Sequence, residues 1–479
     1  MAKQSVTINE IDGKLGNLPS GEAPIAIFGV ATGGPVDTPT LITSTTEAAN
    51  VFTSGPLVRM VSDYILRSGR PAVCTRLATA TQGAYPGGTV LDEDNTAVPG
   101  QVTVKAAGVG ERPDDDYELY VVITKSGTQG SSNIEYRTSR DGGRTLGPVT
   151  VESGGTIVVP NTGGCTFLLS ALSTYTVGDN WLARAKAPQP DAAGVTAGTT
   201  AYKNTTFEKE LALVECDGTA AIFDACATAF NGTEIYWLMR DAVRDYGVSV
   251  SSHFTAMEAI FSGKASTYCG ICFDGCEYPS AAGPLFARSP MLPVAVELKR
   301  AGLGEDISAP IRGSLAGVSI TENSTPKYYD ENVHGVADDA RYITLTTDDV
   351  LQGVYITNPN LFSPAGSDFK YLQHRRVMRA ARRALNLYFK FRLSKDIFVN
   401  ATTGFILESD AVEMENGATA ALSAALGNWV SGVSVTLARN NNILASEPIS
   451  VTSEIIPKAY PKSFVVNQSF SNPANVVAN

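Results

Sequence analysis

Three groups of residues in this chain of 479 have the types and spacing to do chemistry. The first is Pro24 to Pro39, "PIAIFGVATGGPVDTP", where an apolar, β-prone run breaks into glycines. A dinucleotide loop needs G-x-G-x-x-G opening into a helix, and a P-loop needs G-x-x-x-x-G-K-[ST], so that free backbone N–H groups face the anion. Here Gly29 is followed by Gly33 and Gly34 without a lysine, and Pro35 and Pro39 keep the segment extended. The loop reads as a turn joining two strands. The second group is "YCGICFDGCEY", with Cys269, Cys272 and Cys276. A C-x-x-C pair can bind zinc or exchange disulfides, but a zinc site needs four ligands. His253 and His334 lie in stretches with no matching ligand pattern, and seven cysteines are too few and odd in number for a disulfide scaffold. They read as thiols buried at strand ends, or as exposed thiols that cross-link subunits under oxidation; a metal or redox role is the weakest reading.

The third group is basic. Within 368–395, "DFKYLQHRRVMRAARRALNLYFKFRLSK", lie Arg375, Arg376, Arg379, Arg382, Arg383, Lys390, Arg392 and Lys395, with Asp396 just beyond. Eight of the chain's 37 basic residues therefore sit between 375 and 395 of a protein whose net charge is −11. Such a face is either solvated and internally paired or a docking face for an acidic partner, and the second reading is preferred. Nucleic acid is the lesser alternative, because no aromatic stacking platform or DNA-binding motif accompanies the cations. A hydrolase is excluded on the same footing: there is no G-x-S-x-G elbow, and His253, His334 and His374 lack a matched nucleophile. No catalytic residue, cofactor or metal site is expected.

The elements that must hold these groups follow from composition and period. Hydrophobic residues make up 43% of the chain, with Gly 44 and Pro 25, which suits a globular, turn-rich, β-rich architecture of two to four domains. The first residues, "MAKQSVTINEIDGK", lack the apolar core of a signal peptide, and no run approaches the ~20 apolar residues that span a bilayer. Folding in the cytosol and no membrane insertion are expected. Residues 1–20 alternate as an extended arm. "STTEAANVF" has the Ser44–Glu47 spacing of a capping box, and "PLVRMVSDYILRSG" is an amphipathic helix opened by Pro56 and closed by Gly69. With strands at 25–30 and 71–77 this is an α/β unit. From about 95 to 199 short alternating strands between glycine turns describe a small β-sandwich or barrel, edged by the linker-like "KAPQPDAAGVTAGTTA". "AAIFDACATAF" and "IYWLMRDAVRDYG" read as helices. In 368–395 the stripe Tyr371, Met378, Ala381, Leu385 and Tyr388 is expected to be buried. "GATAALSAALGNWVSG" reads as a further helix, and a hairpin turning at Asn440–Asn442 follows it. Pro457 and Pro461 detach "SFVVNQSF" as a second arm.

The order of four stretches resembles the contractile tail sheath proteins of phages, related to the sheaths of R-type tailocins and type VI secretion systems. They are "IAIFGVATGGPVDTPTLITSTTEAANVF…GPLVRMVSDYILRSGRPAVCTRL", "DDDYELYVVI…YRTSRDGGRTLGP…YTVGDNWLARAKAP", "SAPIRGSLAGVSI" and "GVYITNPNLFSPAGSDFKYLQHRRVMRAARRAL" with "VSVTLARNNNILASEPISVTSEIIPKAYPKSFVVNQSF". The fold class implied is α/β plus β and multi-domain. An α/β core (21–94 and 200–360) carries an inserted β-sandwich or barrel (95–199). An α+β inner C-terminal domain (361–460) and terminal exchange arms (1–20 and 461–479) complete the chain. The resemblance implies a structural, non-enzymatic subunit that polymerises as a helical stack of hexameric rings around an acidic tail tube protein. Baseplate and tail terminator proteins would be its other partners. Contraction would drive the tube through the host envelope for genome delivery. Assembly is implied in the host cytoplasm and final residence in the phage virion, without direct nucleic-acid contact. Carried over by position, the tube-facing residues are Arg375, Arg379, Arg382, Arg383 and Lys390, and the exchanged strands use Val6, Ile8, Ile11, Phe464, Val465 and Val466. A tailocin or other contractile injection system is the alternative, and a non-sheath capsid or adhesion protein a second one. The cysteine segment 269–276 departs from the resemblance and leaves covalent reinforcement open.

Overall fold

The computed structural model describes residues 23–85, 102–104, 112–233, 235–242, 244, 248–281, 283–322, 325–326, 328–393, 395–445, 448–462 and 465–466. The N-terminal arm with Val6, Ile8 and Ile11, and Phe464 of the C-terminal arm, lie outside them.

The described chain divides into two compact units, one of residues up to Arg300 together with Ile307–Leu372, the other of Ala301–Asp306 with residues from Gln373 onward. In the first unit β1 (Ile25–Gly29), β2 (Thr40–Ile42), α1 (Thr45–Phe52), α2 (Pro56–Ser68) and β3 (Ala72–Arg76) come first. Short strands of the insert follow: β4 (Val102–Val104), β5 (Tyr117–Lys125), β6 (Gly127–Thr128), β7 (Glu135–Ser139), β8 (Thr150–Val151), β9 (Thr156–Val158), β10 (Thr166–Leu169), β11 (Thr174–Tyr175) and β12 (Asn180–Ala185). The chain then returns through α3 (Ala192–Lys203), β13 (Leu211–Glu215), α4 (Ala220–Phe230), β14 (Tyr236–Arg240), α5 (Val250–Ile260) and β15 (Cys269–Cys272). β16 (Cys276–Ser280), β17 (Gly283–Arg288), α6 (Met291–Arg300), β18 (Thr321–Glu322), β19 (Thr325–Pro326), α7 (Glu331–Asp339), β20 (Leu345–Thr347) and β21 (Val354–Ile356) complete the unit.

Its centre is a six-stranded sheet in the order β15-β14-β13-β1-β3-β2, parallel throughout except for the antiparallel edge strand β2. Helices cover both faces, so the inner strands are buried on both sides, as "IAIFG" and "LALVE" are along their whole length, and every residue but the terminal Glu215 of the second is apolar or glycine. The same logic explains a correction. "IYWLMR" was expected to be helical, yet Tyr236–Arg240 is the wholly buried strand β14. A five-residue apolar run carries no period that separates a central strand from a buried helix, and the aromatic pair Tyr236–Trp237 favours the strand. The second correction is α3. Its alanines, glycines and threonines read as a linker, but the Asp191 side chain caps Gly194 N–H and Val195, Thr199 and Tyr202 are buried. Small residues let this helix lie close on the sheet: a Cβ on Gly198 would stand 2.4 Å from Leu77.

The glycine loop after β1 is structural. Thr32 and Gly33 donate their N–H groups to Ser54 and Phe52 carbonyls at the end of α1, at 2.9 and 3.0 Å, so neither faces a ligand. A Cβ on Gly33 would meet Thr53 Oγ1 at 2.3 Å, which is why glycine stands there. The insert is a set of short antiparallel sheets around one core of Leu119, Val121, Ile123, Phe167, Tyr175 and Trp181.

The second unit contains α8 (Leu372–Lys390, all but its first residue), α9 (Glu408–Leu426), β22 (Val430–Leu437) and β23 (Val451–Pro457). The expected helix 368–395 is shorter at both ends, and α9 begins at Glu408 rather than at the expected Gly417. The hairpin strands pair across a connection of 438–450 rather than a tight turn. Both helices and the hairpin share a core of Val377, Ala381, Ala411, Ala418, Leu422 and Val435. Among the described residues no helix is long and apolar enough to cross a membrane.

Candidate interaction surface

The physical reason α8 can present a charged face lies in its period. At 3.6 residues per turn, Arg375, Arg379, Arg382, Arg383 and Lys390 fall within an arc of about 100°. Val377, Ala381 and Ala384 lie on the opposite side, and Val377 and Ala381 are buried. Arg382, Arg383 and Lys390 are exposed, while Arg375 and Arg379 are half-buried. The five expected docking residues thus share one side of one helix. Two expectations about the stripe change. Met378 is exposed and its neighbour Val377 is buried in its place. Arg376 turns inward and is 8% exposed, donating to the Ala301 and Gly302 carbonyls at 3.0 and 2.8 Å. The guanidinium there ties down chain rather than meeting a partner. Tyr388 closes the far end: its hydroxyl donates to Met414 O at 3.1 Å and lies where a Cβ on Gly417 would be, 2.1 Å away.

The hairpin beside these helices is a two-stranded sheet, so among the described residues the outer edges of β22 and β23 carry no further strand. Arg439 fixes it to α9, donating from Nε and Nη2 to the two Glu408 oxygens at 2.8 and 2.9 Å and from Nη1 to Glu415 at 2.6 Å. Val465 and Val466, expected to exchange, are exposed and belong to no strand.

The cysteines do not present a reactive surface. Cys269 and Cys272 lie within β15 and Cys276 opens β16; all three are wholly buried, and burial pushes their thiols up. The other four are also free and buried. The expectation of cross-linking through Cys269, Cys272 and Cys276 is therefore overturned, since an oxidant needs an accessible thiolate. Among the described residues no cluster of His, Cys, Asp and Glu could hold a metal ion.

Sequence reasoning missed the buried ion network of the first unit. Arg59 on α2 reaches Asp115 at 2.9 Å and Glu215 at 3.3 Å, while Arg240 at the end of β14 reaches Asp116 at 2.9 Å, Glu215 at 3.1 Å and Asp217 at 3.0 Å. Burial pushes the Asp115 carboxyl up to about 7 despite Arg59. Burial acts on Asp116 the same way, but Arg240 and Arg59 outweigh it and hold that carboxyl well below the usual range. Asp115 and Asp116 come from the insert and the guanidiniums from the α/β core, at the strand ends where related sheets hold ligands. The signal was present: "DDD" opening an apolar strand, and a lone arginine ending another. His253 is likewise structural. It is buried, bonded to Asp241 at 2.9 Å and stacked on Phe273.

The family model described as DUF2586, N-terminal domain, matches residues 4–360. Among solved structures, the sheath of PVC, an extracellular contractile injection system, in its contracted state superposes with a TM-score of 0.54 at 10% identity over 99% of each chain. The sheath tail protein of Listeria innocua gives 0.45 at 13% identity over 92% of this chain and 93% of that one. That of Desulfitobacterium hafniense gives 0.40 at 12% over 95% and 100%. The PVC superposition is the one that carries the fold. No curated protein matches the chain. The chain belongs to the DUF2586 family and has the fold of a contractile sheath subunit.

Proposed function

We propose that this chain is the structural subunit of a contractile phage tail sheath. It polymerises helically around a tail tube in the host cytoplasm, and on contraction drives the tube through the envelope of the next host. The observation that carries the reading is the single basic face of α8, opposite a buried stripe, in a protein with net charge −11. Such a face suits weak, reversible docking on an acidic tube, since exposed charge pairs contribute only about 0–1 kcal/mol each. Many weak contacts hold an extended sheath and release together when subunits rotate. The tailocin alternative shares every one of these features and differs in cargo alone. A non-sheath virion protein is disfavoured by the fold. No nucleotide is required, and the occupied N–H groups of the Gly33 loop agree with that.

The open edges of the β22–β23 pair favour a second component, strand donation from the terminal arms of neighbouring copies. An isolated two-stranded hairpin is marginal in water, and added strands would complete it through backbone hydrogen bonds that survive contraction.

Changing Arg379, Arg382 and Arg383 together to Glu tests the docking. The expected result is a folded subunit by circular dichroism that no longer co-assembles with tubes. Extended sheaths of normal length from that variant would remove the docking role. Deleting residues 1–12 tests the donated strand, with monomers expected and tubular polymers refuting it.

A further inference from the structure

Two surface patches on this chain are complementary in both charge and polarity, and the sheath reading assigns no role to either. The first is a tip in the first unit, made by the abutting loops 308–314 and 348–353. Ile311 is 95% exposed and Val350 is 88% exposed, with Leu351 beside it. The backbone that carries them is tied down by hydrogen bonds. Leu315 N–H donates to Val354 O at 2.8 Å, and Arg312 Nη2 donates to Glu297 Oε2 at 3.2 Å. Asp348 Oδ1 accepts the N–H groups of Val350 and Leu351 at 2.8 and 2.9 Å, which lowers the Asp348 carboxyl and keeps the tip anionic beside exposed Asp349.

The second patch is in the other unit, on the turns that follow α8. Phe391, Leu393 and Phe398 are 77%, 74% and 75% exposed. Phe391 N–H bonds Leu387 O, and Phe398 N–H donates to Asp410 Oδ2 at 2.8 Å, so the segment is anchored at both ends. Its charge is basic: Lys395 is exposed, and Arg392 stands 3.6 Å over the Tyr388 ring, with Asp396 offsetting one of the two. Aromatic side chains flanked by cations, left in water, mark a surface that expects a partner.

We infer that the acidic, apolar tip of one copy seats on the basic, apolar turn 391–398 of a neighbouring copy. A tip and a receptor made of different residues form a heterologous contact between copies, which can propagate as an open array rather than closing on itself. A few large side chains bury far less than the ~1,000 Å² of a stable interface, so the contact is weak singly and effective only when repeated along a polymer. This rests on the sheath reading for its setting but not for its test.

The test uses introduced thiols, because the seven native ones are buried. Full-length Val350→Cys and Phe391→Cys chains are mixed at high concentration under mild oxidation. A disulfide-linked heterodimer is expected in clear excess over the background that Val350→Cys forms with Val177→Cys, an exposed position outside both patches. No heterodimer above that background overturns the contact. Alongside it, Asp348→Lys and Lys395→Glu should each weaken cross-linking by about fivefold, the scale of an exposed charge pair, and the two together should restore it. Loss without restoration would overturn the pairing. Heterodimers without tubes in the electron microscope would leave the contact standing and count against the sheath reading alone.

Discussion

Asp115 lies 2.9 Å from Arg59, and its carboxyl is still pushed up to about 7, because burial costs the anion more than one guanidinium returns. The consequence for stability has a definite sign. A carboxyl whose folded value stands above its ordinary value near 3.8 contributes stability that is complete below about 4 and is lost as pH rises through about 7. Thermal melts of the wild type should therefore show stability falling between pH 5 and 7.5 on this group's account, and Asp115→Asn should flatten that slope. An unchanged slope in the variant would place the titration elsewhere. Asp116 behaves oppositely: it stays charged across this range, and Asp116→Asn should cost about 1–3 kcal/mol by removing one of the three carboxylates on the Arg240 guanidinium, Glu215 and Asp217 remaining. Neither role was legible. Sequence shows that acids and arginines exist, and even that "DDD" is unusual before an apolar strand, but not which distant arginine meets them. The basic face of α8 was legible because its five cations are related by helical period alone. Arg376, sitting inside the same run, was not, because its inward turn depends on the carbonyls of Ala301 and Gly302, which no period relates to it.

Elements whose ends are written locally were readable. Ser44 Oγ accepts the Glu47 N–H at 3.1 Å, Pro56 begins α2, and Gly69 ends it in the left-handed conformation at φ 66°. Elements defined by what covers them were not, and β14 and α3 are both of that kind: one apolar in all directions, the other small in all directions. The α8–α9 contact is another. Nothing in "ENGATAAL" announces that Gly417 must be bare, yet Tyr388 Cζ would stand 2.9 Å from a Cβ there. Gly417→Ala gains helix propensity and loses packing, and the packing term should win, lowering stability by about 1–3 kcal/mol in denaturant melts. A stabilised variant would mean the tyrosine swings away at little cost, and the spacing between the helices would then not be set by this pair.

For the molecule as a whole, on the proposed reading, contacts with a tube and contacts between copies would differ in kind, and salt would separate them. The Debye length shrinks from about 10 Å at 0.1 M to about 3 Å at 1 M, so attraction between the exposed Arg382, Arg383 and Lys390 and an acidic tube should weaken steeply. Links made by backbone hydrogen bonds and by buried apolar side chains are far less sensitive to ionic strength, and apolar burial does not rely on charge at all. Pelleting assays over this range should therefore show the sheath leaving tubes well before its own polymers dissolve. Reducing agent should change neither curve, because every cysteine is inside the fold. If polymers and tube complexes dissolved together, the links between copies would be as electrostatic as the docking face. A sheath held that way could not let go of its tube while staying in one piece.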